Sequence, residues 1–147
     1  MKTKVLIFAL VAVAAIVLAF NLLSSQTDEP WAAGQLMEPS VLAGILNSPN
    51  AKKPVVLSIG FEADIKGSVE LGPASEEEGI KKLKEKLEKL SKEEDIVIYC
   101  GCCPFKHCPN VRPAFKLLNK MGFKNHKLLN LAENLKVDWI DKGYPTK

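Results

Sequence analysis

Four cysteines, Cys100, Cys102, Cys103 and Cys108, fall within nine consecutive positions of a 147-residue chain that has no others. A disulfide framework spreads its cysteines to tie distant segments together, so cysteines packed this closely read as a chemical site. Three chemistries suit such a cluster. A thiolate at Cys100 can act as a nucleophile, provided its surroundings favour the charged form. The other thiols can resolve an oxidised or sulfur-loaded Cys100 as a disulfide. Cys108 and Cys103 are the preferred partners, and a bond between the adjacent Cys102 and Cys103 is disfavoured by ring strain. Alternatively Cys100, Cys102, Cys103 and Cys108, with His107, can ligate a soft ion such as copper(I) or zinc. Zinc sites usually draw paired ligands from two separated knuckles and only one cluster exists here, so the first expectation is no metal and no cofactor.

The elements around the cluster decide among these chemistries. Ile96-Val97-Ile98-Tyr99 is a short apolar run that leads straight into Cys100. Asn110 is a natural N-cap for a helix over Val111 to Met121, with Pro113 in its first turn and Gly122 ending it. In open parallel sheets, ligands bind beyond the C-terminal ends of strands. A thiol placed there and facing a helix start meets unpaired backbone N–H groups and the positive end of the helix dipole. The backbone of Gly101 is among the expected donors. Of 20 cationic side chains only Arg112 is an arginine. Its planar fork suits a sulfur oxyanion, with Lys106 the second choice. A surface salt bridge is the competing account of Arg112.

The rest of the chain supplies the scaffold. Val5 to Phe20 is an unbroken apolar run after Lys2 and Lys4. Residues 1–23 therefore read as an uncleaved membrane anchor, or alternatively a cleaved export signal. Residues 24–30 are a linker, and residues 31–147 form one domain on the extracytoplasmic (periplasmic) side. Beyond the leader 18 basic residues face 17 acidic ones, which argues against a nucleic-acid partner. Gln35 to Met37 reads as an edge strand, and a small helix begins at Glu38-Pro39-Ser40. Pro54 to Ile59 has the continuous apolar pattern of a strand covered on both faces. Ser75 to Leu90 reads as a helix, with Ser75 and Glu78 as a capping box and Ile80, Leu83, Leu87 and Leu90 as its buried stripe. Pairs such as Glu78 with Lys82 mark its solvated face. Lys127 to Leu131 reads as a strand, His126 as a surface histidine, and Asn134 to Asp141 as a last helix. Trp31, Phe115 and Trp139 read as core. This alternation predicts an α/β layer fold with a parallel sheet.

Taken in order, these segments resemble a single-domain rhodanese, of the sulfurtransferase family. Leu36 to Leu42 resembles the family's opening strand and helix, and Val55 to Gly60 its second strand. Asp64-Ile65-Lys66-Gly67-Ser68 is similar to its "GHIPGA" turn. Ile96 to Cys100 matches the strand delivering the active cysteine. Met121-Gly122-Phe123 and Trp139 to Pro145, with the "GYP" finish, match the later helices. The resemblance spans Trp31 to Lys147 and implies a three-layer α/β fold with a central, mainly parallel sheet flanked by helices, a Cys100 persulfide, an anionic sulfur donor and a thiol acceptor. The chain departs from the pattern at three places. Ser58-Ile59-Gly60 stands where the family carries an acid and an arginine, and Asp64 replaces a histidine. The loop is also longer, with eleven residues between Cys100 and Arg112.

Overall fold

The computed structural model describes residues 29–61 and 64–147. The anchor or signal expected over residues 1–23, and most of the linker, lie outside the described residues. Among the described residues, no helix is long and apolar enough to cross a membrane.

The chain forms an α/β fold around one parallel sheet of five strands, in the order β1-β5-β4-β2-β3. These are β1 (Leu36–Met37), β2 (Val55–Ser58), β3 (Val69–Glu70), β4 (Ile96–Tyr99) and β5 (His126–Leu129). The long helices are α1 (Pro39–Asn47), α2 (Glu77–Glu88) and α3 (Val111–Lys120). β4 lies at the centre, with Val55 to Ser58 on one side and His126 to Leu128 on the other.

Strand alternation divides the core. Side chains on successive strand residues point to opposite faces. Ile96, Ile98 and Cys100 join Leu57 and Ile59 in one apolar cluster, with Leu83 and Leu87 of α2 and Val111, Phe115 and Leu118 of α3. Val97 and Tyr99 join Val56 on the other face, under Leu42 of α1 and Leu135 and Trp139 of the C-terminal segment. Helices therefore cover both faces, as the continuous apolar strands require. The same alternation carries Cys100 onto the α2–α3 side.

Local chemistry sets the ends. Gly122 adopts φ +76°, and its N–H and that of Phe123 bond the carbonyls of Asn119 and Leu118. That is a Schellman closure of α3, where a residue with a Cβ would be strained. Gly79 in α2 has a different reason. A Cβ there would lie 2.0 Å from the Pro73 carbonyl oxygen, so only glycine lets α2 dock so closely.

Two expectations are corrected. Ser75 is not a helix cap: α2 starts later, behind Glu76, and no side chain caps it. The backbone turns at Pro73 to Glu76, and the Ser75 hydroxyl bonds the Asn110 side chain instead. His126 is not a surface histidine but is 3% exposed. Strand β5 begins at His126, one residue earlier than expected, beside the central strand and beneath α3. Its ring packs on Phe115 at 4.6 Å between centroids, and its Nε2 bonds Asn119 Oδ1 at 2.8 Å. The expected last helix is present, as a short π-helix over Lys136–Ile140. Trp139 fixes that turn from within, fully buried and donating Nε1–H to the Pro145 carbonyl at 3.0 Å.

Candidate functional site

β4 ends at Tyr99, and Cys100 follows at the C-terminal edge of the sheet, 2% exposed. The chain then bends through Gly101, Cys102 and Cys103, makes a 3-10 turn over Phe105–His107 and enters α3 after Asn110. The loop is held at several points. Gly101 accepts from Leu135 N–H at 2.9 Å, and Phe105 N–H donates to the Leu131 carbonyl at 3.1 Å. Phe105 is itself buried and packs against Trp31.

All four sulfur atoms lie within 4.8 Å of one another, and all four cysteines are free. Cys100 Sγ and Cys102 Sγ are 3.4 Å apart, as are Cys102 Sγ and Cys103 Sγ. Cys108 is fully buried, Cys103 half-buried and Cys102 exposed. The cluster therefore has a buried floor and an open side.

Asn110 makes the decisive polar contact, though not as the cap expected of it. It has helical backbone angles and no side-chain cap bond. Its Nδ2 donates to Cys100 Sγ at 3.3 Å. Its Oδ1 accepts from Ser75 N–H at 3.0 Å and from the Ser75 hydroxyl at 2.7 Å. Those two bonds fix the amide so that its NH₂ end faces the sulfur. A side chain consumed by the thiol and by Ser75 has nothing left for the helix end.

The electrostatics single out Cys100. Its thiol is lowered to about 5, first by donation from Cys108 and then by Asn110 and the Cys102 N–H and thiol, which outweigh burial. Hydrogen bonds to the charged form favour it. The neighbours move the other way. Cys108 is pushed up, first by its bond to Cys100 and then by burial. Cys102 is pushed up to about 12 by desolvation and by the adjacent sulfurs. The surroundings thus favour the thiolate at Cys100 and disfavour it at Cys102 and Cys108.

Gly60 is a further contributor. A Cβ on it would fall 2.8 Å from Cys100 Sγ, so the sulfur sits directly against the glycine backbone. In the sequence Gly60 reads only as the end of a strand, and Ser75 only as a cap. Neither has a sequence signal tying it to Cys100, because both contacts join residues 25 or more positions apart.

The remaining candidates stand around the cluster. Arg112 Nη2 bonds Glu29 Oε1 at 2.6 Å and the Lys106 carbonyl at 2.9 Å, with its guanidinium 5.7 Å from the Trp31 ring. Its fork thus already holds a carboxylate of the same chain and clamps the loop to the start of the domain. Lys106 and His107 are exposed and line a cavity of about 460 Å³ with Leu36, Pro104, Phe105, Asn130 and Ala132. His107 is outside the sulfur cluster, so the five-ligand metal set is corrected to the four cysteines. A cavity of about 350 Å³ at the opposite end of the sheet is lined by Lys52, Asp95, Lys124, His126 and Lys127. Its lysines are already engaged, Lys52 with Asp95, Lys124 with Glu93 and Lys127 with the Gly34 carbonyl.

No protein-family model matches the sequence, and a search of the curated proteins finds no match either.

Proposed function

We propose that the protein transfers sulfane sulfur through a persulfide on Cys100, as a rhodanese-type sulfurtransferase working outside the cytoplasm. One observation carries the reading: Cys100 Sγ stands at the C-terminal edge of the sheet with Asn110 Nδ2 3.3 Å away, oriented by Ser75. The parallel sheet, with Cys100 just past the end of its central strand, supports this reading. The Cys100 thiolate attacks the outer sulfur of thiosulfate or a polysulfide. The donor's S–S bond breaks, sulfite or the shortened polysulfide leaves with the electron pair, and Cys100 keeps the sulfur as a persulfide anion. Amide donors around the loop offset the negative charge of both thiolate and persulfide. A thiol acceptor then attacks the outer sulfur and restores the thiolate. Lys106, exposed beside the cluster, attracts the anionic donor, and Arg112 holds the loop or exchanges Glu29 for the donor.

Mass spectrometry of the full-length protein after thiosulfate or polysulfide should find one added sulfur atom on Cys100. Equal labelling of a Cys100→Ser variant would remove the assignment.

The 3.4 Å approach of Cys102 to Cys100 favours a second reading, a thiol–disulfide redox protein. Cys102 would attack the inner sulfur of the persulfide, expel hydrogen sulfide and leave a Cys100–Cys102 disulfide for an external dithiol to reduce. Loss of the added sulfur together with two free thiols would mark this route. It should be absent in Cys102→Ser.

A further inference from the structure

We infer that the four cysteines form a binding site for one thiophilic closed-shell cation, zinc(II) or copper(I). We also infer that its occupancy switches off the sulfur chemistry of Cys100, a second clause that rests on the function proposed above.

The four sulfurs are gathered tightly enough to share one ion. Zinc–sulfur bonds of about 2.3 Å place the edges of a tetrahedral four-sulfur site at about 3.8 Å. Here two edges measure 3.4 Å and no pair exceeds 4.8 Å, so the fold already gathers the sulfurs close to the span that one ion needs. The ligands approach along different backbone directions. Cys100 comes from the strand end, Cys102 and Cys103 from the bend, and Cys108 from the entry to α3. The fold thereby supplies the second arm that one stretch of sequence does not display. Cys108 closes the floor and the exposed Cys102 leaves an entry.

The surroundings fit a charged cluster. Asn110 Nδ2, braced by Ser75, donates to Cys100 Sγ as an outer-shell partner of a metal thiolate does. Residues 100–113 contain no acid, and the exposed Lys106 of the same loop opposes the excess negative charge of four thiolates around one ion. A donor set made only of sulfur selects soft ions over magnesium or calcium. On binding, each thiol that ligates gives its proton to solvent, so uptake strengthens as pH rises. Ligation draws charge from Cys100 Sγ and crowds it with the ion and three other sulfurs, so the loaded protein is inert toward the donor.

The test uses the full chain, reduced and kept anaerobic, titrated separately with zinc(II), copper(I) and cobalt(II) as a spectroscopic stand-in. Expected are one ion per chain retained through desalting and, for cobalt, the intense sulfur-to-metal and visible bands of a tetrahedral thiolate site. Cys103→Ser and the surface variant Cys102→Ser, which leaves the buried floor intact, should each lower affinity at least tenfold. Wild type that retains no ion, or variants that retain it as well as wild type, would overturn the site. Loaded protein should gain sulfur from thiosulfate only after chelation, and equal gain with and without the ion would overturn the switch. An ion bound by a protein that never takes up sulfur would leave the site standing and remove the proposed function. Sulfur uptake with no ion bound would do the reverse.

Discussion

At the scale of single residues, the reactive character of Cys100 is a matter of who donates to it. Asn110→Asp retains the acceptor that Ser75 uses but replaces the NH₂ group facing Sγ with a carboxylate oxygen. A hydrogen bond to a charged group contributes about 1.5–3 kcal/mol. Persulfide formation should therefore slow roughly 10- to 100-fold, measured as the rate of sulfur uptake from thiosulfate. Ser75→Ala should slow it less, since it frees the amide to rotate without removing it. An unchanged rate in Asn110→Asp would show that the amide has no part in the chemistry. Gly60→Ala addresses the same sulfur from the other side. With 2.8 Å available to the new methyl carbon, strand or sulfur must move. Overpacking of this kind costs about 1–3 kcal/mol, to be read from the denaturant midpoint, and uptake at Cys100 should fall with it.

Among the elements, α2 and α3 matter because they cover the face that bears Cys100. The docking of α2 rests on Gly79, whose missing side chain admits the Pro73 carbonyl. A methyl group 2.0 Å from a backbone oxygen cannot be absorbed by a rotamer change. Gly79→Ala should destabilise by about 3 kcal/mol or more, with α2 displaced and the Ser75–Asn110 bonds loosened. Thermal unfolding and the sulfur-uptake rate should both report the loss, and a near-neutral variant would contradict the packing. The exposed Glu78–Lys82 pair, closed at 2.7 Å, makes the opposite case. Solvent screens exposed pairs one helical turn apart, so its removal should leave both measurements nearly unchanged.

For the molecule as a whole, His126 links stability to pH. Burial lowers its pKa below the ordinary imidazole value, and the ring sits between Phe115 and Asn119 in the core. The unfolded chain then binds more protons than the folded one as pH falls through about 6.5, so stability rises with pH there. The stabilisation is complete above that value and is lost as acidification proceeds toward the folded pKa. His126→Gln, which can still bond Asn119, should show a shallower fall in melting temperature between pH 7 and pH 5. Parallel pH profiles for wild type and variant would rule the linkage out.

The sequence by itself determined the order and type of the main elements, the central strand ending in Cys100, the close of α3 at Gly122 and the core status of Trp139. These follow from apolar runs and turn residues, which act within a few positions of the chain. Tertiary structure decided the rest. Asn110 and Ser75 both carry side chains that cap helices, and only the juxtaposition of α2 with α3 turned them toward each other and toward a sulfur. Arg112 could not be matched to Glu29, nor Gly60 to Cys100 Sγ, because such contacts depend on how the sheet brings distant segments together. His126 was misjudged because one residue of strand register separates a solvent position from the core.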